Sequence, residues 1–361
     1  MNTTYNFSAG PSMIPKDILT QYKKEFYNWR NLGASVIEIS HRSVEFMKVV
    51  EECEKNLRFL MNIPSDYHVL FFSGGARGQF SAIPMNLTKK NQLTDYVCSG
   101  YWSNAAFEEA KKYCLPQRIN VIKHNNNRIN ILPFSEWKLN KQSSYVHYCP
   151  NETLEGIEIK EEPNFLNKII IGDFSSTILS RRIDVSKYGL IYASAQKNIS
   201  SSGVTLVIIR KDLITSKKKL VPSILDYNIA IKHQSMFNTP VTFSWYLAGL
   251  VVKWLIKQGG LEEIEKKNEI KANLLYEKID TTDFYINNIS KKYRSYMNVP
   301  FYLKNEKLNK AFIKEALSFG LYALKGHKIV GGIRASIYNA MPIEGVKKLI
   351  NFMNYFEKKY K

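Results

Sequence analysis

The sequence predicts an α/β fold: an open sheet flanked by helices, followed by a smaller α+β lobe. Three observations carry that expectation. Short β-type apolar runs (Val69 to Phe72, Ile169 to Ile171, Leu190 to Tyr192) each lead into a polar turn rich in reactive groups. Helix-period segments recur along the chain, as α/β folds require. Past Gly259-Gly260 the pattern changes to a long charged helix, a strand and further helices, which marks a lobe boundary.

In chain order, Asn6 to Pro11 is an extended, turn-rich opening. After Pro15 the spacing of Ile18, Leu19, Tyr22, Phe26 and Trp29 predicts one helix, closed by Gly33. Val36 to Ile39 runs into Ser40-His41-Arg42, where the two cations could bind an anion or face solvent. The strand Val69 to Phe72 feeds Ser73-Gly74-Gly75-Ala76-Arg77-Gly78-Gln79-Phe80. A glycine-rich turn opening a helix exposes N–H groups and the positive end of the helix dipole, which suits phosphate. It matches neither a Walker A loop nor a GxGxxG fingerprint, and a simple tight turn remains the alternative. Trp102 follows a strand and Gly100, where its indole could stack on a cofactor ring or pack into the core. Tyr145 to Cys149 is another strand. His147 inside it reads as a core histidine, and Thr153 at its exit could reach a ligand. Gly203 to Ile209 is a strand, and a helix runs from about Thr242 to Lys257. Beyond the boundary come a helix from Glu262 to Lys278 and a strand from Met297 to Leu303. A final helix presents Val346, Leu349, Ile350, Met353 and Phe356 on one face.

Two of these strand ends matter most. Asp173 follows Ile169 to Ile171, and Lys197 follows Leu190 to Tyr192, so a carboxylate and an amine meet at the ligand-binding edge of the sheet. Pyridoxal 5′-phosphate (PLP) needs that pair: a lysine to hold its aldehyde and an acid to keep the pyridine nitrogen protonated. The small residues Ala193, Ser194 and Ala195 beside the lysine leave room for a flat ring.

Composition bounds the rest. The chain has 361 residues, 45% of them apolar, enough for a sizeable core. The formal charge of +19 raises nucleic acid as a partner. The lysines are scattered, however, and no nucleic-acid motif occurs, so the expectation is no nucleic acid. The pattern fits AT-biased coding together with an anion site. Cys53, Cys98, Cys114 and Cys149 show no CxxC pair and no metal spacing, which predicts reduced thiols, no metal and a cytoplasmic location. The longest apolar stretch, Tyr246 to Ile256, is interrupted by Lys253 and is too short to span a membrane.

Taken together, the segments resemble the phosphoserine aminotransferase family, fold-type I enzymes that depend on PLP. The resemblance rests on Asn6 to Pro11, Glu38 to Arg42, Ser73 to Phe80 and His147 to Thr153. It continues through Asp173 to Ser176, Ala195 to Asn198, Met236 to Pro240, Leu324 to His327 and Gly331 to Pro342. It implies a large PLP-binding domain (16–257) with a mainly parallel seven-stranded sheet, and a small domain built from 1–15 and 258–361. It further implies Lys197 as the Schiff-base lysine and Asp173 at the pyridine nitrogen, the two catalytic residues. Trp102 would stack on the ring and Thr153 would lie near its phenolic oxygen. Ala76 and Arg77, assisted by Gln196, would hold the phosphate, joined by Asn238 and Thr239 from the other subunit of a homodimer. Arg334 would clamp the substrate α-carboxylate, with His41, Arg42, His327 and Lys328 around the distal anion. The implied reaction is reversible amino transfer between glutamate and 3-phosphohydroxypyruvate, with a phosphorylated hydroxythreonine of vitamin B6 synthesis as a related substrate.

The sequence departs from the family pattern at three places. Lys328 stands where arginine is usual, Ile199 to Gly203 replaces a Gly-Pro segment, and Ala76 stands where glycine is common. Two rival readings stay open: another fold-type I enzyme, such as a cysteine desulfurase or an alanine–glyoxylate-type aminotransferase, and a basic nucleic-acid-binding protein.

Overall fold

The computed structural model describes residues 4–165, 168–214 and 221–361. Seven strands form the central sheet: β1 (Tyr67–Ser73), β2 (Leu93–Cys98), β3 (Leu115–Asn120), β4 (Val146–Tyr148), β5 (Ile170–Asp173), β6 (Leu190–Ser194) and β7 (Val204–Arg210). Their spatial order is β1-β7-β6-β5-β4-β2-β3. The pairs from β6 through to β3 are parallel, and β7 runs antiparallel to both β6 and β1. The sheet is therefore seven-stranded and mainly parallel, as the resemblance implies. Strands buried on both faces need apolar residues on both, which is why the parallel β5 and β6 and the antiparallel β7 between β6 and β1 all read as apolar runs.

Helices cover both faces. In β1, Tyr67, Val69 and Phe71 face one core with α2 (Val44–Met61) and α6 (Thr242–Lys257). Leu70 and Phe72 face the other, with α3 (Ala76–Leu87), α4 (Tyr101–Ala110) and α5 (Tyr227–Lys232). This alternation is the period-two signature of a strand between two helical layers. α6 occupies the span the sequence assigned to it.

The first predicted helix is shorter than its periodicity suggested. α1 (Lys16–Glu25) stops before Phe26, and a single 3₁₀ turn spans Trp29–Asn31. Arg30 and Asn31 take left-handed φ angles of 53° and 62°, which no α-helix can continue through. The break turns Trp29 into the core against Tyr246, at 6.1 Å between rings; within α1, Ile18 is buried and Leu19 is exposed.

Away from the sheet, a separate apolar core gathers Phe7, the later half of α7 (Gly260–Asp280), α8 (Asn309–Ser318) and α9 (Ile343–Tyr360). It also holds a small antiparallel sheet of β8 (Tyr285–Ile286), β9 (Asn298–Leu303) and β10 (Ile333–Ser336), in the order β8-β9-β10. α7 crosses between the cores: Leu261 and Ile264 pack in the first, Ala272 to Ile279 in the second. On α9, Val346, Leu349, Met353 and Phe356 are buried, while Ile350 packs at the margin. All four cysteines are free and buried. Among the described residues no helix is long and apolar enough to cross a membrane.

Candidate active site

Asp173 ends β5 and lies in register with Tyr192 of the parallel β6. Lys197 follows β6 on a turn closed by Ile199 and Ser200 N–H groups donating to the Ala195 carbonyl at 3.1 and 2.8 Å. The two side chains thus reach one edge of the sheet because their strands are parallel neighbours. They line a common cavity of ≈ 350 Å³, with Gly75, Ala76, Arg77, Trp102, Cys149, Asn151, Thr153, Ser175, Ser176, Ser194 and Gln196.

Lys197 is 9% exposed, and its Nζ donates to Thr153 Oγ1 at 2.6 Å. Burial lowers its amine from the usual lysine value to about 8, against the opposing charge of Asp173. Asp173 is 6% exposed, and its Oδ1 accepts from the Ser175 N–H at 3.0 Å. Burial pushes its carboxyl up, while the Ser175 hydrogen bonds and Lys197 pull it back. The opening segment clasps the lysine turn: Ser12 N–H donates to the Gln196 carbonyl at 3.0 Å, and its hydroxyl donates to the Lys197 carbonyl.

One wall is the start of α3. Gly74 sits at φ +106°, a conformation only glycine adopts without strain, and it lets the chain turn from β1 into the helix. No side chain caps α3 and no acidic residue lies in its first turn, so its N-terminal N–H groups face the cavity with the dipole behind them. Arg77 reaches across to Tyr101, Nη2 to hydroxyl at 3.3 Å, and its guanidinium lies 5.4 Å from the Trp102 ring.

The opposite wall is Trp102, in the first turn of α4. Its ring lies 6.0 Å from Lys197 Nζ, and its buried indole N–H has no hydrogen-bond partner among the described residues. Two carboxylates hold this helix start. Glu152 accepts from the Trp102 and Ser103 N–H groups, and Glu155 from the Tyr101 N–H, all at 2.9 Å. Gly100 makes the approach possible, since a Cβ there would lie 2.6 Å from Glu152 Cγ. Burial pushes both carboxyls up; Glu155, beside the Glu152 charge, reaches about 7. The sequence reading gave neither glutamate a role. Their spacing, one either side of Thr153–Leu154 and matched to a Gly-led helix, was the available signal.

Arg334 lies on β10 and is half-buried, with its Nε buried and unpartnered. Its charge is felt at Lys197, His327 and Glu155, which places it at this same edge. His327 rests 5.9 Å from the Tyr101 ring, and Lys328 beside it is exposed. Arg334, His327 and Lys328 do not line the cavity itself, and four further predicted residues, His41, Arg42, Asn238 and Thr239, are absent from its lining too. His41 and Arg42 sit in the turn before α2, just ahead of its cap Ser43. Asn238 lines a separate small cavity of ≈ 90 Å³ with Phe72 and Ser73, and Thr239 is exposed.

These residues fit PLP. A buried, partly neutral amine, a buried acid on the neighbouring strand, an indole wall and an uncapped helix start are the donors its aldehyde, ring nitrogen, ring face and phosphate require. The fold and site define a PLP-dependent transaminase, and the family model described as Aminotransferase class-V matches residues 4–349. Over 360 residues the chain is 61% identical to the phosphoserine aminotransferase of Buchnera aphidicola subsp. Acyrthosiphon pisum (strain Tuc7), covering 100% of each. It superposes on the phosphoserine aminotransferase from Bacillus circulans subsp. alkalophilus with a TM-score of 0.95 at 38% identity, covering 100% of both chains. For the PLP-bound phosphoserine aminotransferase from Trichomonas vaginalis the TM-score is 0.91 at 39% identity, covering 97% of this chain and 99% of that one. The chain belongs to the phosphoserine aminotransferase family.

Proposed function

We propose that the protein transfers an amino group reversibly between L-glutamate and 3-phosphohydroxypyruvate, giving 2-oxoglutarate and O-phospho-L-serine in serine biosynthesis. The observation that carries this reading is full-length identity of 61% to a phosphoserine aminotransferase, joined to the buried Lys197–Asp173 pair. A phosphorylated hydroxythreonine of vitamin B6 synthesis is the second substrate for the same site.

When bound, PLP supplies an electron sink that makes the substrate Cα–H acidic. Asp173 would sit against the pyridine nitrogen and hold its proton in place. Lys197, lowered to about 8, has a substantial neutral fraction near that pH and would carry a proton between substrate Cα and cofactor C4′. Thr153, bonded to Nζ, holds the amine in place and would lie near the phenolic oxygen of bound PLP. Trp102 would cover the ring face and exclude water. The α3 start, Arg77 and Gln196 would hold the phosphate. Arg334 would offer a planar fork for the α-carboxylate; Lys328 would supply positive charge and His327 a ring N–H for the distal anion, joined by His41 and Arg42 from the second copy of a homodimer.

Asn238 and Thr239 are absent from the lining of their own chain's cavity, which supports their serving the site of a second copy in a homodimer. The two apolar cores support a large domain of 16–257 and a small one of 1–15 and 258–361. Four free, buried thiols support a cytoplasmic location. The purified protein is expected to form glutamate from O-phosphoserine and 2-oxoglutarate, and to do so poorly from alanine. Turnover of alanine with glyoxylate but none of phosphoserine would overturn the assignment.

A further inference from the structure

One buried cation takes no part in the chemistry above. Lys271 on α7 is 3% exposed, and among the described residues no carboxylate pairs with it. Its Nζ donates to three backbone carbonyls of one short segment: Ile337 at 3.1 Å, Tyr338 at 2.8 Å and Met341 at 3.0 Å. Burial, with Lys267 nearby, lowers the amine to about 7. The three acceptors act the other way, because only the ammonium has a proton for each.

That segment follows the end of β10 at Ser336 and begins three residues beyond Arg334. Nearly one turn earlier on α7, Asn268 Nδ2 donates to Asn339 Oδ1 at 2.8 Å and to the Ser180 carbonyl at 3.1 Å. Asn339 then donates its backbone N–H to Asn198 Oδ1 at 3.1 Å and its Nδ2 to the Leu179 carbonyl at 2.8 Å. Asn198 is the residue after Lys197, and Leu179 lies on the segment that follows Asp173. One buried polar cluster therefore ties α7 to the exits of all three functional strands. This tie adds to the backbone bonds that hold β10, which pairs with β9 on one side, while on the other the Arg334 N–H donates to the Leu324 carbonyl at 2.8 Å and the Ser336 N–H to the Phe7 carbonyl at 3.1 Å. Those bonds fix the strand itself, and the Lys271 cluster fixes where the chain goes on leaving it.

We propose that Lys271, with Asn268 and Asn339, is a positioning centre that fixes Arg334 relative to Lys197 and so sets where the substrate α-carboxylate lies. The proposal rests on the role given to Arg334 above. Arg334 holds the carboxylate in ground and transition states alike, so its displacement raises KM and leaves kcat largely intact.

The test is Lys271→Met, which keeps the stem and removes every donor. KM for L-glutamate is expected to rise between about 10- and 100-fold, the range lost with a hydrogen bond to a charged group, with kcat changed by less than about threefold. Lys271→Gln, retaining two donors, should fall between parent and Lys271→Met. A KM within about twofold of the parent, or a fall in kcat alone, would overturn the proposal. Should Lys271→Met fail to fold, Asn339→Ala decides by the same criterion. Hydrogen exchange on the apoprotein gives a second reading that needs no turnover. Lys271→Met should lose protection at 333–341 and 197–199 together, and unchanged protection there counts against the cluster. Arg334→Lys in parallel separates the two ideas. If it leaves KM unaltered, the role of Arg334 fails, while the exchange result still judges Lys271.

Discussion

A lysine in water titrates near 10.4, and an amine that must accept a proton near neutrality has to be brought down from there. Lys197 is brought to about 8 by burial, and Asp173 limits the fall. Replacing it with alanine is expected to lower transamination by at least ~10³-fold, the range lost with a general base. Borohydride should then no longer fix the cofactor to the chain, and mass spectrometry of reduced protein checks this. Lys328 poses a smaller question on the distal side. It is exposed, keeps the charge and lacks the bidentate fork of arginine. Lys328→Arg is expected to lower KM for the phosphorylated substrate by roughly threefold or more, with glutamate unaffected. An unchanged value would make the lysine neutral. At this scale the sequence was most informative. Lys197, Asp173, Trp102, Thr153, Arg77 and Gln196 all line one cavity, because each lies at or just beyond the end of a strand whose apolar run announces it.

Elements were legible where periodicity alone decides them and illegible where a single backbone conformation does. α6 and the buried strands follow from their apolar patterns. α1 does not, because the left-handed pair Arg30–Asn31 ends a spacing that otherwise continues. The start of α4 is a further case: Gly100 reads as a turn, yet it is the gap through which Glu152 and Glu155 reach the helix N–H groups. Glu155 gives this contact a pH signature. Its carboxyl titrates near 7 when folded against 4.5 for the free group, so the folded state holds its proton more tightly. Its contribution to stability is full below about pH 4.5 and is lost as pH rises through 7. Urea unfolding at pH 5 and pH 8 should show a larger drop for the parent than for Glu155→Gln. Equal drops would mean the carboxyl is not raised.

At the scale of the whole molecule, the proposed homodimer would make the active site a property of two chains, with Asn238 and Thr239, absent from the lining of their own cavity, contributed by the partner copy. Sedimentation should therefore report about twice the 41.8 kDa of one chain. Lys197→Ala and Asn238→Ala would each be impaired alone, in both copies. Mixed and reassociated, they form a heterodimer with one complete site, and activity should recover to about a quarter of the parent value. No recovery would place Asn238 in its own chain's site.

The sequence by itself determined the strand runs, the reactive groups at their ends and the match to a known set of segments, because these depend only on residue type and spacing. The tertiary structure decided what those groups can do. Lowering the Lys197 amine, capping α4 with two buried glutamates and anchoring an edge strand through Lys271 all require residues distant in the chain to share a low-dielectric interior, and no local pattern records that meeting.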